Sequence, residues 1–218
     1  MAATRTEEHL RSPGEGYLNL SRLLLGFLPE ALVLKKIEHL LVLNLRRNNL
    51  EILPCELFLR QTQLEELNVS ENLLGYIPDT IGSLSRLRKL ALQGNQLKGI
   101  PESLCCLKSL EELLLGRNIL VNLPEQVGDL QRLRRLDLSE NGLLEEIPNK
   151  AGKISGLQEL NLKGTPLKQM PLSFRRLHTK EELLRSKERR KKLVARALRV
   201  RASVRIAFHE EAFEAKMF

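Results

Sequence analysis

The sequence predicts a curved α/β solenoid, with a parallel β-sheet on its concave face and short helical or 3₁₀ turns on its convex face. Two observations predict this fold class. A frame L-x-x-L-x-L-x-x-N-x-L-x-x-[LI]-P recurs with its asparagine at Asn48, Asn72, Asn95, Asn118 and Asn141. The first leucines of successive copies lie 23 residues apart at Leu64, Leu87, Leu110 and Leu133. A fixed period of this length indicates stacked units that share one core.

The first half of each copy predicts a short strand followed by a sharp turn. Leu43 and Leu45 alternate at the period of two that places both side chains on one face of a strand. The turn that follows leaves backbone N–H and C=O groups inside the coil, where each group needs a partner. An asparagine amide offers both donors and an acceptor on a short stem. The recurring asparagine is therefore predicted to tie together the turns of its own and the neighbouring coil.

The second half of each copy predicts the convex side. It reads P-x-x-[IL]-x-x-L-x-x-L, as in Pro78, Ile81, Leu84 and Leu87. Proline suits the start of a helical turn, where its missing N–H leaves no bond unmade. Apolar residues at every third position then favour short helical or 3₁₀ turns. A single repeat cannot bury its leucines, whereas a stack of repeats buries them in one continuous core.

Two degenerate copies close the array, as expected of capping repeats. The first copy has Leu23 at the asparagine position, and the last copy has Thr165 there. One residue is inserted near positions 143–144, and we interpret it as a bulge in a loop. The frame takes Leu143 as the buried leucine of that copy. The array counts about seven repeats in all.

The repeat pattern also predicts the domain organisation. Residues 1–16 are polar and form a flexible N-terminal tail, residues 17–178 form the repeats, and residues 179–218 form a capping and basic C-terminal segment.

The back half of the repeat, x-x-L-P-x-x-I-G-x-L-x-x-L, resembles the intracellular Ras-group class of leucine-rich repeat proteins. The resemblance covers residues 17–178. It implies a leucine-rich repeat solenoid that binds protein partners. Repeats of this kind occur in eukaryotic scaffold proteins that contact small GTPases or phosphatases, and in bacterial proteins delivered into host cells. The implied partner is a small GTPase or another signalling protein.

Composition narrows the class of protein. Residues 172–218 hold fourteen Lys and Arg against six Asp and Glu, which accounts for the whole formal charge of +8. We find no pattern of a signal peptide and no apolar run of membrane length. Cys55, Cys105 and Cys106 lack C-x-x-C spacing, so packed or half-exposed thiols in a reducing compartment are expected. We therefore predict a cytoplasmic location, which would be the host cytoplasm for a bacterial effector.

Strand residues between the leucines face the concave side, where repeat proteins usually bind their partners. One row of them alternates in charge: Glu66, Lys89, Glu112, Arg135 and Glu159. These charges either pair laterally across neighbouring strands or match a partner of mixed charge. Leu114 and Ala91 form a small apolar centre, but aromatic anchors are scarce, so a polar interface of moderate affinity is expected. The residues predicted to contact a protein partner are Tyr17, Asn44, Arg46, Asn68, Gln93, Leu114, Arg117 and Asp137.

The C-terminal segment is predicted to be helical. Thr179 and Glu182 form a capping box, and apolar residues recur at 4-3-4-3 spacing from Leu193 to Ala207. Three roles remain open for this basic amphipathic helix: packing on the solenoid or on itself, insertion into an acidic groove, or binding to an anionic membrane or nucleic acid. Its predicted contact residues are Arg189, Arg190, Lys191, Lys192, Arg196 and Arg199. The run 187–192 also resembles a nuclear-localisation signal, so the nucleus is the alternative location.

No catalytic, cofactor or metal site is predicted. The four histidines lie outside zinc-ligand spacings, and the turn glycines form no phosphate-binding loop. The sequence therefore predicts a non-enzymatic adaptor, either a signalling scaffold or a bacterial effector, that docks a protein partner on its concave face. The alternative is a membrane- or nucleic-acid-associated factor in which the basic C-terminal helix is the main binding element.

Overall fold

The computed structural model describes residues 16–33, 39–169, 174 and 205–207. Eight short strands of these residues form one all-parallel sheet whose strand order follows the chain. The strands are β1 (Tyr17–Asn19), β2 (Val42–Asn44), β3 (Glu66–Asn68), β4 (Lys89–Ala91), β5 (Glu112–Leu114), β6 (Arg135–Asp137), β7 (Glu159–Asn161) and β8 (Arg205–Ala207). Each coil thus stacks directly on the one before it, and the predicted solenoid is confirmed.

One helical turn follows each of the first six strands. The turns are α1 (Glu30–Val33), α2 (Cys55–Arg60), η1 (Asp79–Ser83), η2 (Glu102–Cys106), η3 (Glu125–Asp129) and η4 (Asn149–Lys153), of which the last four are 3₁₀ helices. From α2 to η4, each begins directly after a proline, as in Pro78 before η1. The frame leucines from both halves meet in one core cluster between the sheet and these turns.

The recurring asparagines tie neighbouring coils together, as predicted. Asn95 is typical: its Nδ2 donates to the carbonyl of Leu92 in its own coil at 2.9 Å and to that of Val69 in the preceding coil at 3.0 Å. Its Oδ1 accepts the backbone N–H of Leu74 at 3.0 Å. Asn72, Asn118 and Asn141 repeat this set of bonds. Each amide therefore satisfies three backbone groups that the turn would otherwise leave buried and unpaired.

The residue before each tie position adopts a left-handed backbone conformation. The φ angles range from 53° to 73° at Arg22, Arg47, Glu71, Gly94, Arg117, Glu140 and Gly164. This conformation costs glycine little and other residues more. Five of the seven turns nevertheless carry a charged residue there.

The inserted residue changes which leucine is buried. Leu144 is fully buried and Leu143 is 55% exposed, so the sequence-based assignment of Leu143 to the core was wrong. In the bulge, the backbone N–H of Leu144 donates to the carbonyl of Asn141 at 3.1 Å. In earlier repeats the equivalent N–H, such as that of Leu120, donates to the Oδ1 of the asparagine in the next coil. Because the bulge satisfies it locally, Thr165 suffices in the last repeat, where its Oγ1 donates to the carbonyl of Leu162 at 2.7 Å.

The C-terminal segment differs from its prediction at β8. Residues Arg205–Ala207 pair in parallel with β7, and Glu159, Leu160 and Asn161 lie opposite Arg205, Ile206 and Ala207. The expected helix is therefore wrong at these three residues. An exposed sheet edge leaves backbone groups that a further strand satisfies. Residues 175–204 and 208–218, with the predicted capping box and tail contacts, lie outside the described part of the chain.

The back half of the last repeat is seen at one position. Phe174 is buried against the core, as the frame predicts. None of the helices formed by the described residues is long and apolar enough to cross a membrane.

Candidate functional site

The concave face presents the strand residues in straight rows. Parallel pairing places Asn44 beside Asn68 and Leu114 beside Asp137, in the register that the repeat frame predicts. The intervening leucines point into the core, and the burial pattern of every strand from β1 to β7 has its middle residue buried. Tyr17, Asn44, Asn68, Leu114 and Asp137 therefore lie on the concave face, as the frame predicts.

A shallow groove of about 140 Å³ crosses the first four strands on this face. It is lined by Tyr17, Val42, Leu43, Asn44, Glu66, Leu67, Asn68, Lys89 and Ala91. Tyr17 is 48% exposed at its rim. Three of the predicted contact residues, Tyr17, Asn44 and Asn68, are thus brought together in one depression.

Asn44 and Asn68 have unused donors in this groove. Asn44 Oδ1 accepts the backbone N–H of Arg46 at 3.1 Å, and Asn68 Oδ1 accepts that of Ser70 at 3.1 Å. Each acceptor therefore stabilises the turn that follows its strand. Within residues 16–33 and 39–169, the Nδ2 groups of these two side chains have no hydrogen-bond acceptor. The pair offers amide donors to a ligand, about 4.8 Å apart as set by the strand spacing.

Arg46, a further predicted contact residue, is held by an ion pair. Its Nε donates to Glu71 Oε1 at 3.0 Å, and Arg47 from the same turn donates to the other carboxylate oxygen. The hydrogen bonds from Arg47 and Arg46 lower the pKa of Glu71 from 4.5 to about 2. The two arginines are therefore partly neutralised by the neighbouring repeat and are less available to a partner than the sequence suggested.

The pKa shift of Glu71 predicts an acid-sensitive contribution to stability. A carboxylate whose folded pKa is depressed stabilises the fold above its unfolded pKa, near 4.5, and loses this contribution as the pH falls towards 2. We expect Glu71→Gln to lower the free energy of unfolding by no more than about 1 kcal/mol at pH 7, because the arginines are exposed. The deficit should shrink between pH 4.5 and pH 2 in urea titrations.

Glu66→Gln is the matched control for Glu71→Gln. Glu66 is exposed on the same coil and makes no ion pair with the described residues. The Glu66→Gln substitution should leave the free energy of unfolding within about 0.5 kcal/mol of the parent value at each pH. A deficit of Glu71→Gln that stays constant down to pH 2 would contradict the ion-pair account.

In the row of alternating charges on the concave face, one neighbouring pair of residues forms an ion pair. Arg135 Nε lies 3.4 Å from Glu159 Oε2, which confirms lateral pairing at that step. Glu66, Lys89 and Glu112 make no ion pair among the described residues. Their charges remain open on the concave face, as a surface of mixed sign would require.

The apolar area at the centre of the concave face is smaller than predicted. Leu114 is half-buried, but Ala91 is buried and adds little apolar surface. Arg117 is exposed and makes no ion pair with the described residues. Gln93 carries a buried Oε1 that has no hydrogen-bond partner among the described residues. Asp137 Oδ1 accepts the backbone N–H of Ser139 at 3.0 Å, in the role that Asn44 and Asn68 have in their repeats.

The cysteines are structural or surface residues. Burial raises the pKa of the Cys105 thiol to about 12, whereas Cys55 and Cys106 are exposed. We expect iodoacetamide at pH 8 to modify Cys55 and Cys106 in the native protein and to leave Cys105 unmodified, because the thiolate is the reacting species. Mass spectrometry of peptides from the alkylated protein measures this. Equal labelling of Cys105 and Cys106 before denaturation would contradict the packing of η2.

A second surface was missed by the sequence reasoning. In the first three repeats, five large apolar side chains are exposed on the flank of the coil, between the strands and the helical turns: Leu24, Phe27, Ile52, Leu73 and Tyr76. They surround or adjoin a groove of about 530 Å³ lined by Gly26, Phe27, Asn49, Glu51, Ile52 and Leu73. All five occupy positions that the repeat frame leaves variable, so the leucine pattern does not predict an apolar residue there. The signal was available, since Phe27, Ile52 and Tyr76 each stand just before the [LI]-P step.

No metal site is seen in the described part of the chain. No group of three or more His, Cys, Asp or Glu there could hold an ion. The basic residues predicted for tail contacts, from Arg189 to Arg199, lie outside the described residues.

Comparison with known proteins agrees with the geometry. The family described as "Leucine rich repeat" matches residues 38–97, 62–120 and 108–167. A leucine-rich repeat protein of Leptospira interrogans superimposes with a TM-score of 0.67 at 31% identity, over 75% of this chain and 40% of that one. The plant peptide hormone receptor RGFR1, in complex with RGF2, superimposes with a TM-score of 0.64 at 28% identity, over 76% of this chain and 27% of that one.

One curated relative is much longer than this chain. Adenylate cyclase of Schizosaccharomyces pombe is 38% identical over 93 residues, which are 42% of this chain and 5% of the cyclase. The match therefore concerns a short region of that protein. The repeat frame, the stacked parallel strands and the family match together show that this chain belongs to the leucine-rich repeat family.

Proposed function

We propose that the chain is a protein-interaction adaptor whose concave groove docks an extended segment of a protein partner. The observation that carries this proposal is the pair of Asn44 and Asn68 amides, whose Oδ1 atoms are used by turns and whose Nδ2 donors are unused. The backbone of an extended chain is rich in carbonyl acceptors, which such donors match. Tyr17 at the rim adds an aromatic contact of the kind that dominates binding energy.

The similarity to a plant receptor supports docking of a peptide-like segment. RGFR1 is named as a peptide hormone receptor, and its structure contains RGF2. The concave face of this chain has both signs of charge open on neighbouring strands, at Glu66 and Lys89. A partner segment with a basic and an acidic residue in succession would match them.

The resemblance to the Ras-group class supports an intracellular signalling scaffold. On that basis we propose a cytoplasmic location, with a small GTPase or another signalling protein as the partner. A bacterial effector would use the same groove on a host protein. The two settings share one binding mechanism, so the test below applies to either.

Asparagine-to-aspartate changes test the groove directly. Asn44→Asp with Asn68→Asp retains an Oδ1 acceptor for each turn, as Asp137 does naturally, but removes the amide donors. We expect partner recovery in affinity purification from the native cell to fall at least about tenfold, which corresponds to about 1.4 kcal/mol. Asn161→Asp, in the same row of the last repeat, is the matched control. Undiminished recovery by a folded double variant would contradict docking in this groove.

A second pair of substitutions tests the centre of the concave face. Leu114→Arg with Arg117→Glu places a charge in the apolar centre and reverses the rim charge. Glu71 and Glu140 occupy the position of Arg117 in other repeats, so the left-handed turn accommodates glutamate. Val121→Arg with Arg132→Glu makes equivalent changes at exposed positions outside the concave face. Loss of partner with the first pair alone supports concave docking.

The alternative, binding through the basic C-terminal segment, needs a different variant. Truncation would remove β8 and open the edge of β7, so substitution is preferable. If Arg189, Arg190, Lys191 and Lys192 all become glutamine and binding is lost, while the concave variants bind normally, the tail is the main element. Steep weakening of binding with salt would accompany that result.

A further inference from the structure

The apolar flank, defined as Leu24, Phe27, Ile52, Leu73 and Tyr76, is not explained by concave docking. Phe27 is 80% and Leu24 73% exposed, and the groove beside them measures about 530 Å³. Backbone bonds from Asn49 to Leu25 and from Leu73 to Leu50, each 2.9 Å, stack these parts of the coils side by side. The five side chains therefore form one patch across the first three repeats.

The apolar flank has a defined end. In the fourth repeat the equivalent positions are held by Gln96, Lys98 and Gly99, which present no large apolar group. Three coils span two strand spacings, or about 10 Å. Apolar patches of this kind on a surface mark interaction sites more often than isolated exposed residues do.

Acidic residues border the apolar flank. Glu51 lines the groove itself. Glu30, Glu56 and Asp79 lie in the first turns of α1, α2 and η1, all exposed. They follow Phe27, Ile52 and Tyr76 by three or four residues, which limits the separation of the Cα atoms to about 14 Å. Arg60 at the end of α2 opposes this charge, but the border as a whole is acidic.

The spacing of the apolar flank matches one face of an α-helix. Residues at i, i+3 or i+4, and i+7 of a helix rise by about 4.5 to 6 Å per step. Neighbouring coils of the solenoid are about 4.8 Å apart. A helix lying across the coils would thus place one apolar side chain against each of the first three repeats. Basic residues beside its apolar face would meet Glu30, Glu51 and Asp79.

We propose that the apolar flank is the docking surface for an amphipathic helix of a partner protein, with basic residues bordering the apolar face. The chain's own residues 193–204 have a similar pattern, but β8 fixes Arg205 on β7, at the far end of the sheet. β7 lies about 29 Å from β1, at the opposite end of the sheet from the flank. We therefore assign the flank to an external helix, and coverage by the chain's own segment is an outcome of the test below.

A tryptophan introduced at Phe27 tests the proposal in the full chain. The protein contains no tryptophan, so Phe27→Trp gives a single tryptophan emission signal within the flank. The probe ligand is a synthetic helix of about 14 residues with leucines at 4-3-4 spacing and arginines beside them. We expect a saturable blue shift of emission as the exposed indole is covered. A scrambled peptide of the same composition and a peptide with glutamates for arginines should give no saturable shift.

Substitutions on the surface distinguish specific docking of the peptide on the flank from non-specific adhesion of the peptide to the protein. In the Phe27→Trp background, Ile52→Asp should weaken binding at least about tenfold, and Glu51→Lys with Asp79→Lys should weaken it by a similar factor. Val121→Asp is the matched control, because Val121 is exposed to a similar degree as Ile52 (51% against 45%) on the same side of the coil but lies two repeats beyond the groove. The Asn44→Asp with Asn68→Asp variant should bind the peptide normally, since it alters a different face.

Several results would overturn the proposal. Equal binding of the scrambled peptide, or equal loss in Val121→Asp, would show non-specific adhesion. Emission that is already blue in the free chain and insensitive to the peptide would show that the chain's own segment covers the flank. Emission that shifts to the red on dilution would show a second copy of the chain as the occupant.

Discussion

Asn95→Ala is expected to lower the free energy of unfolding by about 3–5 kcal/mol. The substitution removes the acceptor for the N–H of Leu74 and the donors for the carbonyls of Leu92 and Val69. A buried backbone group without a partner costs about 1–3 kcal/mol. Because three such groups lie in two adjacent coils, the loss should exceed that of most single substitutions. Urea denaturation followed by circular dichroism measures it.

Two further variants make the Asn95 prediction specific. Asn122→Ala removes an exposed asparagine in the next repeat and should change stability by less than about 0.5 kcal/mol. Asn95→Thr should be intermediate, because Thr165 shows that a threonine hydroxyl satisfies the carbonyl of its own coil and no more. If Asn95→Ala and Asn122→Ala cost the same, the asparagine does not tie the coils as described.

The repeat frame was readable from sequence because burial and the turn bonds limit the residues it can hold. Leu90 in β4 and Leu92 just after it both point into the core, and the side chain of Asn95 must both donate and accept hydrogen bonds. Such positions tolerate few residue types, so their register emerges from one chain. The same logic failed at the insertion, where Leu143 and Leu144 are equally apolar. The backbone bond from Leu144 to Asn141 decides between them, and no residue pattern encodes it.

Features that depend on contacts between rows were not predicted. Arg46 and Glu71 occupy different columns of neighbouring repeats, so comparison along single rows did not pair them. The pairing of β8 with β7 joins segments more than forty residues apart, where the period of the sequence gives no guide. A helical spacing of apolar residues also fits Val204 and Ala207, and local pattern alone favoured the helix. Long-range pairing of backbone edges overrode it.

The same difference between positions that the repeat frame fixes and positions that it leaves free explains which functional surface was predicted. The concave face was predicted because the frame assigns every second strand residue to it. The apolar flank was not, because Phe27, Ile52 and Tyr76 stand at positions that the frame leaves free. Free positions carry what distinguishes one repeat protein from another, since the frame itself serves only the fold. Comparing the free positions column by column would have revealed the flank.

Gly128→Ala is expected to destabilise the fold by about 3 kcal/mol, although it adds one methyl group. A Cβ at Gly128 would lie 2.4 Å from the carbonyl oxygen of Lys150 and 2.7 Å from its carbonyl carbon. These are backbone atoms of η4, so relief requires the two convex turns to separate rather than one side chain to rotate. Overpacking of this kind typically costs 1–3 kcal/mol, and a rigid backbone neighbour places this site at the upper end. The separation would also loosen Ala151, which η4 buries in the core.

Gly75→Ala is the matched control for the Gly128 prediction, because no atom lies within 4 Å of its added Cβ. It should leave the protein as stable as the parent or up to about 1 kcal/mol more stable, since alanine restricts the unfolded chain. Cys105 occupies the position of Gly128 one repeat earlier and carries a Cβ, so the frame alone does not demand glycine there. Glycine is required at position 128 because η3 and η4 approach each other closely there. Equal thermal midpoints for the two alanine variants would show that these turns are not packed as tightly as the structure has them.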